Sequence, residues 1–573
     1  MKSTVKVITF LAALPILSFG QPNLRLYEGG WIGKWESSRN FVMKLEVVRS
    51  AGTEYTLQFT TGKSSKSTPL NVLPDKSFVG NIDSTLKFEG YLDEGRNAIS
   101  GFVHSGKQLT HVQLENHGNG IFSGAWNILI VDNIAPGFFV SIEEDNNSLQ
   151  AYGFFEDHRF PGMWCFGLQQ HDDVITFRDL RTGLRFSGKL LPDRIQLEAS
   201  LGTMSVSKIE LSRIPSWRPK IPQGATAFTA NAPPQLYDGW RTSPLAAAQL
   251  DAGILQVLVD SINAGALTNT HSVLIARGGK LVYEQYFQGY TASTLHDMRS
   301  ASKSISSAIV GIAVSKGLVQ TVDQPAFALL PPKYREVRNN DERKSRITIR
   351  HLLTMSSGLD AIDYGTDKGS LAAEDTYQQT EDWIRSVVDA PMIFEPGTHA
   401  NYGSANPFLL GVILNEQVKQ PMSLSMDNWL LRPLGISQYI IFSDSFDDPY
   451  FAGGMFMTPR DMLKFGQLYL DSGTWEHDNL VPADWVKQSF TKHTVLENSK
   501  NKNEYGYLWW RQSYHVGKSR VESFEARGAG GQYIFVIPQY DLVAVITSGN
   551  FRNGRYWQPE HIMEKYILSA IKN

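Results

Sequence analysis

Between residues 25 and 213 apolar residues recur at every second position, a spacing that a sheet buries on one face and a helix does not. The stretches "FVMKLEVV", "YTLQFTT", "LKFEGYL", "HVQLENH" and "IQLEASL" alternate in this way, and glycine, asparagine and aspartate separate them. Closely spaced runs of period two predict an antiparallel all-β unit, a sandwich or a barrel. "GGWIGKW" near the start and "FSGAWN" at 122–127 hint at two related halves. No group of histidine, aspartate or glutamate here has metal-ligand spacing. The region reads as an accessory domain whose ligand is not legible.

"RIPSWRPKIPQGATAFTANAPPQ" then supplies Pro215, Pro219, Pro222, Pro233 and Pro234. Proline fixes φ and removes backbone donors, so the stretch predicts a non-helical connector. It divides the chain into 21–218 and 219–573, and 573 residues are too many for a single core. Beyond the connector the pattern changes. "HSVLIARGGKLVYEQYF" predicts two strands around Gly278-Gly279, helical patterns follow at 300–316, 347–355 and 405–418, and "QYIFVIP" and "LVAVITSG" form a second strand pair. Strands at both ends with helices between predict an α/β or α+β domain whose sheet both ends complete.

Residues 1–20, "MKSTVKVITFLAALPILSFG", carry Lys2 and Lys6, a short apolar run, and small residues before Gln21. They read as a cleaved signal peptide, so the expectation is an exported protein, periplasmic or secreted. No later apolar stretch is long enough for a transmembrane segment. The formal net charge of −3 and the lack of a basic patch with interleaved aromatics argue against nucleic acid as a partner. The single cysteine, Cys165, makes no internal disulfide, and Trp164 and Phe166 beside it predict a buried small hydrophobe.

The chemistry concentrates in "HDMRSASKSISSAIVGIAVSKGLV" (296–319), where Ser300 and Lys303 stand one turn apart on a helical pattern. Ile305, Ile309 and Ile312 would bury that helix and dry its first turn. A lysine there loses hydration, so its neutral amine becomes available as a base beside a nucleophile. Spacing alone is weak: Ser205 opens "SVSK" as well, but in an alternating strand, where i and i+3 face opposite sides.

Around this motif stand "ITIRHLLTMSSGLD" (347–360), "FEPGTHANYGSANPFLLGVI" (394–413), "GGMFMTPRDMLKFGQLYLDSGTW" (453–475), "YGYLWW" (505–510) and "GAGGQYIFVIPQYDLVAVI" (528–546). From about 240 to 570 the chain resembles the serine β-lactamase and penicillin-binding-protein superfamily, in its class C-like branch of esterases, D-aminopeptidases and nylon-oligomer hydrolases. The resemblance implies a β-lactamase-like transpeptidase fold, an antiparallel sheet flanked by helices with a helical subdomain. It implies Ser300 as acyl-forming nucleophile, Lys303 as its base, and Tyr402 in "NYGS" as a proton shuttle whose pKa cationic neighbours hold low. It leaves open which of Lys303 and Tyr402 is the main base.

Two positions depart from the family pattern. Ser404 stands where asparagine is usual, and its hydroxyl is expected to bind the lysine or a substrate carbonyl. Ala529 stands where a lysine or histidine is usual, with Gly530 and Gly531 letting a substrate lie against the strand edge. Loss of that cation removes a contact of roughly 1.5–3 kcal/mol to a substrate carboxylate, so the reading favours esters or amides without one. Arg527 is the substitute cation if one is needed. The oxyanion donors implied are the N–H groups of Ser300 and Gln532. The expected partner is a small or peptide-like acyl substrate, with no metal or organic cofactor and the oligomeric state open. D-aminopeptidase, DD-peptidase or β-lactamase activity, acyl transfer, and a non-catalytic binding or sensor role are the alternatives.

Overall fold

The computed structural model describes residues 23–572 except 51–53, 63, 132, 146, 161, 218–220, 223 and 367–368. The leader read at 1–20 and positions 218–220 at the domain boundary therefore lie outside the described residues.

The period-two segments form two curled antiparallel sheets. Val42–Arg49, Tyr55–Thr61, Ser64–Val72, Phe78–Asn81, Leu86–Asp93, Ala98–Ser105 and Gln108–Asn116 pair in succession. Ile121–Asn127 pairs with both the first and the last of them and closes the ring. In the other sheet Gly29–Lys34 lies between Gly137–Asp145 and Met204–Ile214. Its edge strands, Ser148–Phe155 and Cys165–His171, meet where the Gly153 N–H donates to Cys165 Sγ at 3.1 Å. Alternation is visible residue by residue: Tyr55, Leu57 and Phe59 are buried while Gln58 between them is exposed. Trp31 from "GGWIGKW" and Trp126 from "FSGAWN" supply one buried indole to each ring of a shared aromatic core. Burial pushes the Cys165 thiol up to about 12, with the Asp179 charge adding to it, so this cysteine is an unreactive thiol at neutral pH.

The second domain is built on eight antiparallel strands. Leu542–Ser548 lies in the middle, between Thr270–Arg277 of the early hairpin and Gln532–Ile537. The fold is therefore α/β with a sheet closed by both ends of the domain. On one face Pro459–Leu470 presses so closely that a Cβ on Gly466 would lie 2.4 Å from Val543. The other face is covered by Ala252–Asn263 and the C-terminal turns. The helix Lys303–Ser315 is apolar and buried nearly all round, as an interior helix must be. It stops at Gly317, whose φ of 72° and N–H bond to the Val314 carbonyl end the helix in the left-handed conformation that glycine adopts without cost. Among the described residues no helix is long and apolar enough to cross a membrane.

The chain changes character near 218, but the hydrogen-bonded sheet does not stop there. Tyr439–Phe442 pairs with Gln108–Asn116, in the register Ile440↔Thr110 and Phe442↔Gln108. Phe456–Met457 and His296–Asp297 continue the same sheet. The barrel sheet thus reaches within three residues of Ser300. A buried polar cluster reinforces the junction: Asp427 accepts from Tyr91 Oη at 2.6 Å, Ser100 Oγ at 2.8 Å and Tyr439 Oη at 2.8 Å. Arg432 pairs with Asp93 at 2.9 Å nearby. Removing the acceptor leaves the Tyr439 and Tyr91 hydroxyls without it and Ser100 with only His111 Nε2, at 2.8 Å, so Asp427→Ala is expected to cost about 3–5 kcal/mol, read as a lower denaturation midpoint. An unchanged midpoint would show that the cluster does not hold the domains together.

Candidate active site

Ser300 stands on a short turn, Arg299–Ser302, that leads directly into the helix Lys303–Ser315. Arg299 has a φ of 50°, a conformation that costs a non-glycine residue roughly 1–2 kcal/mol. It is held there from three sides. The Arg299 N–H donates to Asp297 Oδ1 at 2.9 Å, the Met298 N–H donates to the Met455 carbonyl at 2.8 Å, and the Gly454 N–H donates to the Arg299 carbonyl at 3.3 Å. The left-handed step turns Ser300 into a cleft of about 300 Å³ between the two domains.

Lys303 Nζ lies 2.8 Å from Ser300 Oγ and also donates to the Ala452 carbonyl. Burial lowers its pKa, against the carboxylates of Glu374 and Asp363, which raise it. Glu374 is itself driven towards its neutral form by burial, against the pull of the Lys303 ammonium. Tyr450 donates to Glu374 Oε1 at 2.5 Å.

Tyr402 completes the group, with Lys303 Nζ 5.1 Å from its ring centroid and its phenol near enough to the Ser300 hydroxyl to feel it. Trp510 stacks on it at 5.3 Å, Tyr364 stacks at 5.6 Å, and Tyr505 meets its edge. Asn498 clamps its backbone, accepting from the Tyr402 N–H at 2.8 Å and donating to its carbonyl at 3.2 Å. Gly403 follows because a Cβ there would lie 1.7 Å from the Ala361 carbonyl oxygen. The expectation of a lowered tyrosine pKa is overturned. Burial pushes the Tyr402 phenol up, and Asp363 and Glu374 push it further, against the nearby Ser300 hydroxyl. Burial thus favours the neutral form of both the Tyr402 phenol and the Lys303 amine.

The remaining expected residues fall elsewhere. Ser404 is wholly buried, and both its N–H and its hydroxyl donate to Asp363 Oδ2, at 2.8 and 2.6 Å. It anchors the loop under Tyr402 and cannot meet a substrate. Gln532 is also wholly buried, opposite Gly528 in the ladder, with its side chain on the Ser548 carbonyl at 2.6 Å. It is not the second oxyanion donor. Gly530 and Gly531 are buried in the turn between Ser519–Gly528 and Gln532–Ile537, with φ of 82° and 94°. A Cβ on Gly530 would meet Phe551 at 2.5 Å, so these glycines shape the turn and do not touch the cleft. Arg527 pairs with Glu525 at 2.6 Å and Glu560 at 2.9 Å, and lies over Trp510 and Tyr533. Its charge is satisfied behind the tyrosine, so it does not replace the missing cation.

Ala529 alone of that stretch is exposed, and it lines the cleft with Ser300. Gly528 before it packs on the nucleophile turn: a Cβ there would lie 2.2 Å from the Met298 carbonyl oxygen and 3.2 Å from Ala301 N. Among the hydrogen bonds of the described residues, neither the Ser300 nor the Ala529 N–H has an acceptor. Sequence reasoning missed Asp363 and Glu374 from the 360–379 loop, and Trp164, Arg181 and Arg299 in the cleft wall. Only Arg299, adjacent to the motif, left a signal that position alone could have raised.

Ser300, the buried Lys303 amine and the Tyr402 ring lie together beside a cleft that Ala529 also lines, an arrangement that suits acyl transfer through serine. An uncharacterized protein of Alkalihalophilus pseudofirmus is 24 % identical over 333 residues, covering 53 % of this chain and 90 % of its own length. The 6-aminohexanoate-dimer hydrolase of Paenarthrobacter ureafaciens is 23 % identical over 324 residues, covering 53 % and 78 %. A solved β-lactamase/D-alanine carboxypeptidase from Yersinia pestis has a TM-score of 0.43 and 15 % identity, covering 56 % of this chain and 99 % of its own. The family model described as Beta-lactamase matches residues 260–566, more than half of the 573. The chain belongs to the β-lactamase family and is a serine hydrolase.

Proposed function

We propose that this hydrolase cleaves esters or amides through an acyl-enzyme on Ser300, with Lys303 as base and Tyr402 as acid. The observation that carries the reading is the 2.8 Å approach of a buried lysine amine to a serine hydroxyl at the mouth of a cleft. Ser300 Oγ attacks the carbonyl carbon as its proton passes to Lys303 Nζ. The oxyanion takes hydrogen bonds from the N–H groups of Ser300 and Ala529, which have no other acceptor among the described residues. The C–O or C–N bond then breaks, and the leaving alkoxide or amine takes the Tyr402 proton, which the Lys303 ammonium replaces. Water attacks the acyl carbon, gives its proton to Lys303, and the acid leaves as Ser300 Oγ is reprotonated.

Dryness favours this assignment of roles. A desolvated amine accepts a proton near neutral pH, whereas a buried phenol keeps its own until a stronger base appears beside it. The test is turnover of p-nitrophenyl acetate and butyrate, D-Ala-p-nitroanilide and a chromogenic cephalosporin by the purified protein. Ester hydrolysis is the expected result. Turnover of the cephalosporin alone would overturn the ester preference, and silence on all four would overturn the enzymatic reading.

A further inference from the structure

Part of the cleft wall comes from the β-rich domain, which contributes Trp164 and Arg181 to the lining that also holds Ser300. Asp179, almost wholly buried, organises the loop that carries Arg181. It accepts from the N–H groups of Trp164 at 2.6 Å, Arg181 at 3.2 Å and Thr182 at 3.0 Å, and from Thr182 Oγ1 at 2.6 Å. Ser105 Oγ donates to the Thr182 carbonyl at 2.5 Å, and Gly106 and Gly183 press together backbone to backbone. The loop is thus fixed to the turn before Gln108–Asn116, the strand that pairs with the catalytic domain. Arg181 is preorganised within the β-rich domain, beside the strand that pairs with the catalytic domain.

Its guanidinium is short of acceptors. The side chain is only 13 % exposed, and Nε and Nη1 are buried with no hydrogen-bond partner. The carboxylate it faces is Asp297, whose Oδ2 lies 4.0 Å from Arg181 Nη1, beyond hydrogen-bond length. Asp297 Oδ2 also lies 3.0 Å from Arg299 Nε, close enough for an ion pair though not aligned for a hydrogen bond. Two guanidinium groups therefore share Asp297, while Asp179, whose oxygens are taken by its own loop, adds its charge to Arg181; what the site lacks is a hydrogen-bond acceptor for Arg181 Nε and Nη1. Phe456 lies 5.8 Å from Arg181 Cζ and Phe551 lies 5.0 Å from Arg299 Cζ, and these rings hold the two planes in the wall. Of the acidic groups in the cleft lining, Glu374 is driven towards its neutral form by burial, and Asp375 is exposed to water. A buried charged donor without an acceptor is expensive, and a ligand carboxylate supplies what it lacks in paired N–H···O bonds.

We propose that Arg181, with Arg299, binds a carboxylate of the substrate, so that the hydrolase selects anionic esters or amides and the β-rich domain carries the selectivity. This rests on the reading of Ser300 as nucleophile. It reverses the expectation drawn from Ala529: the cation absent from the strand turn is supplied from the other domain.

The test compares p-nitrophenyl hydrogen succinate with p-nitrophenyl butyrate, and 4-carboxyphenyl acetate with phenyl acetate, so that the carboxylate is offered on either side of the scissile bond. Wild type is expected to favour the anionic member of at least one pair by about 10- to 100-fold in kcat/KM. Arg181→Gln is expected to abolish that preference while hydrolysing the neutral esters within about threefold of wild type, which also shows that it folds; Arg181→Lys retains part of it. In parallel, glutarate binding to Ser300→Ala is measured by calorimetry with and without Arg181→Gln, and a tenfold or greater loss is expected. Equal rates on both members of each pair in wild type, or a preference that survives Arg181→Gln, would overturn the carboxylate site and leave the nucleophile reading intact. No ester turnover together with Arg181-dependent glutarate binding would do the reverse.

Discussion

Ser300→Ala is expected to lower ester hydrolysis by about 10⁴-fold or more while changing folding stability by less than about 1 kcal/mol. The substitution removes one oxygen from a half-buried position and leaves the turn at Arg299 intact. The loss is chemical because Lys303 Nζ lies 2.8 Å from that oxygen and the Tyr402 ring lies 5.1 Å from the same amine. Kinetics with p-nitrophenyl butyrate and a denaturation curve read both quantities. Activity within a hundredfold of wild type would move the nucleophile elsewhere.

Lys303→Met is expected to lower kcat/KM by about 10²–10⁴-fold, the range of general acid–base catalysis, and to leave stability unchanged or higher. An amine wholly buried in an apolar helix pays for its desolvation in the folded state, and methionine fills a similar volume without that cost. The pH profile gives the sign. Only the neutral amine takes the Ser300 proton, so activity in wild type rises with pH as Lys303, with its lowered pKa, loses its proton. That rise is expected to disappear in Lys303→Met. A variant that keeps more than a tenth of wild-type activity, or the same rising limb, would show that another group is the base.

These effects fall on residues that the sequence brings together locally. Ser300 and Lys303 lie within one helical turn, so their meeting depends on a single element. The β-rich region was legible for the same reason, since alternation is a property of each strand by itself. That the sheet runs on through Tyr439–Phe442 was not legible, because a continuous apolar run of four residues carries no statement about its partner.

The expectations that failed are those that needed a register or a distant partner. Gln532 and Ala529 are three residues apart, and the end of the strand at Gly528 decides which of them meets the cleft. The pairing of Arg527 with Glu525 was within reach of the sequence, as i and i+2 share a strand face, but Glu560 arrives from a later segment. Ser404 was read against a motif position, whereas Asp363, forty-one residues before it, takes both of its donors. The Tyr402 pKa went astray because the cations near it were counted and the surrounding apolar wall and carboxylates were not. Arg181 had no signal at all, being separated from Ser300 by 119 positions and a domain boundary and joined to it only by the folded sheet.

The most direct test of the central claim is to treat the protein with a fluorophosphonate, weigh it intact, and map the adduct by peptide mass spectrometry. One adduct per chain on Ser300, absent from Ser300→Ala, is the result expected of an acyl-enzyme hydrolase with this geometry. An adduct on another residue, or none on a protein that still hydrolyses esters, would contradict it.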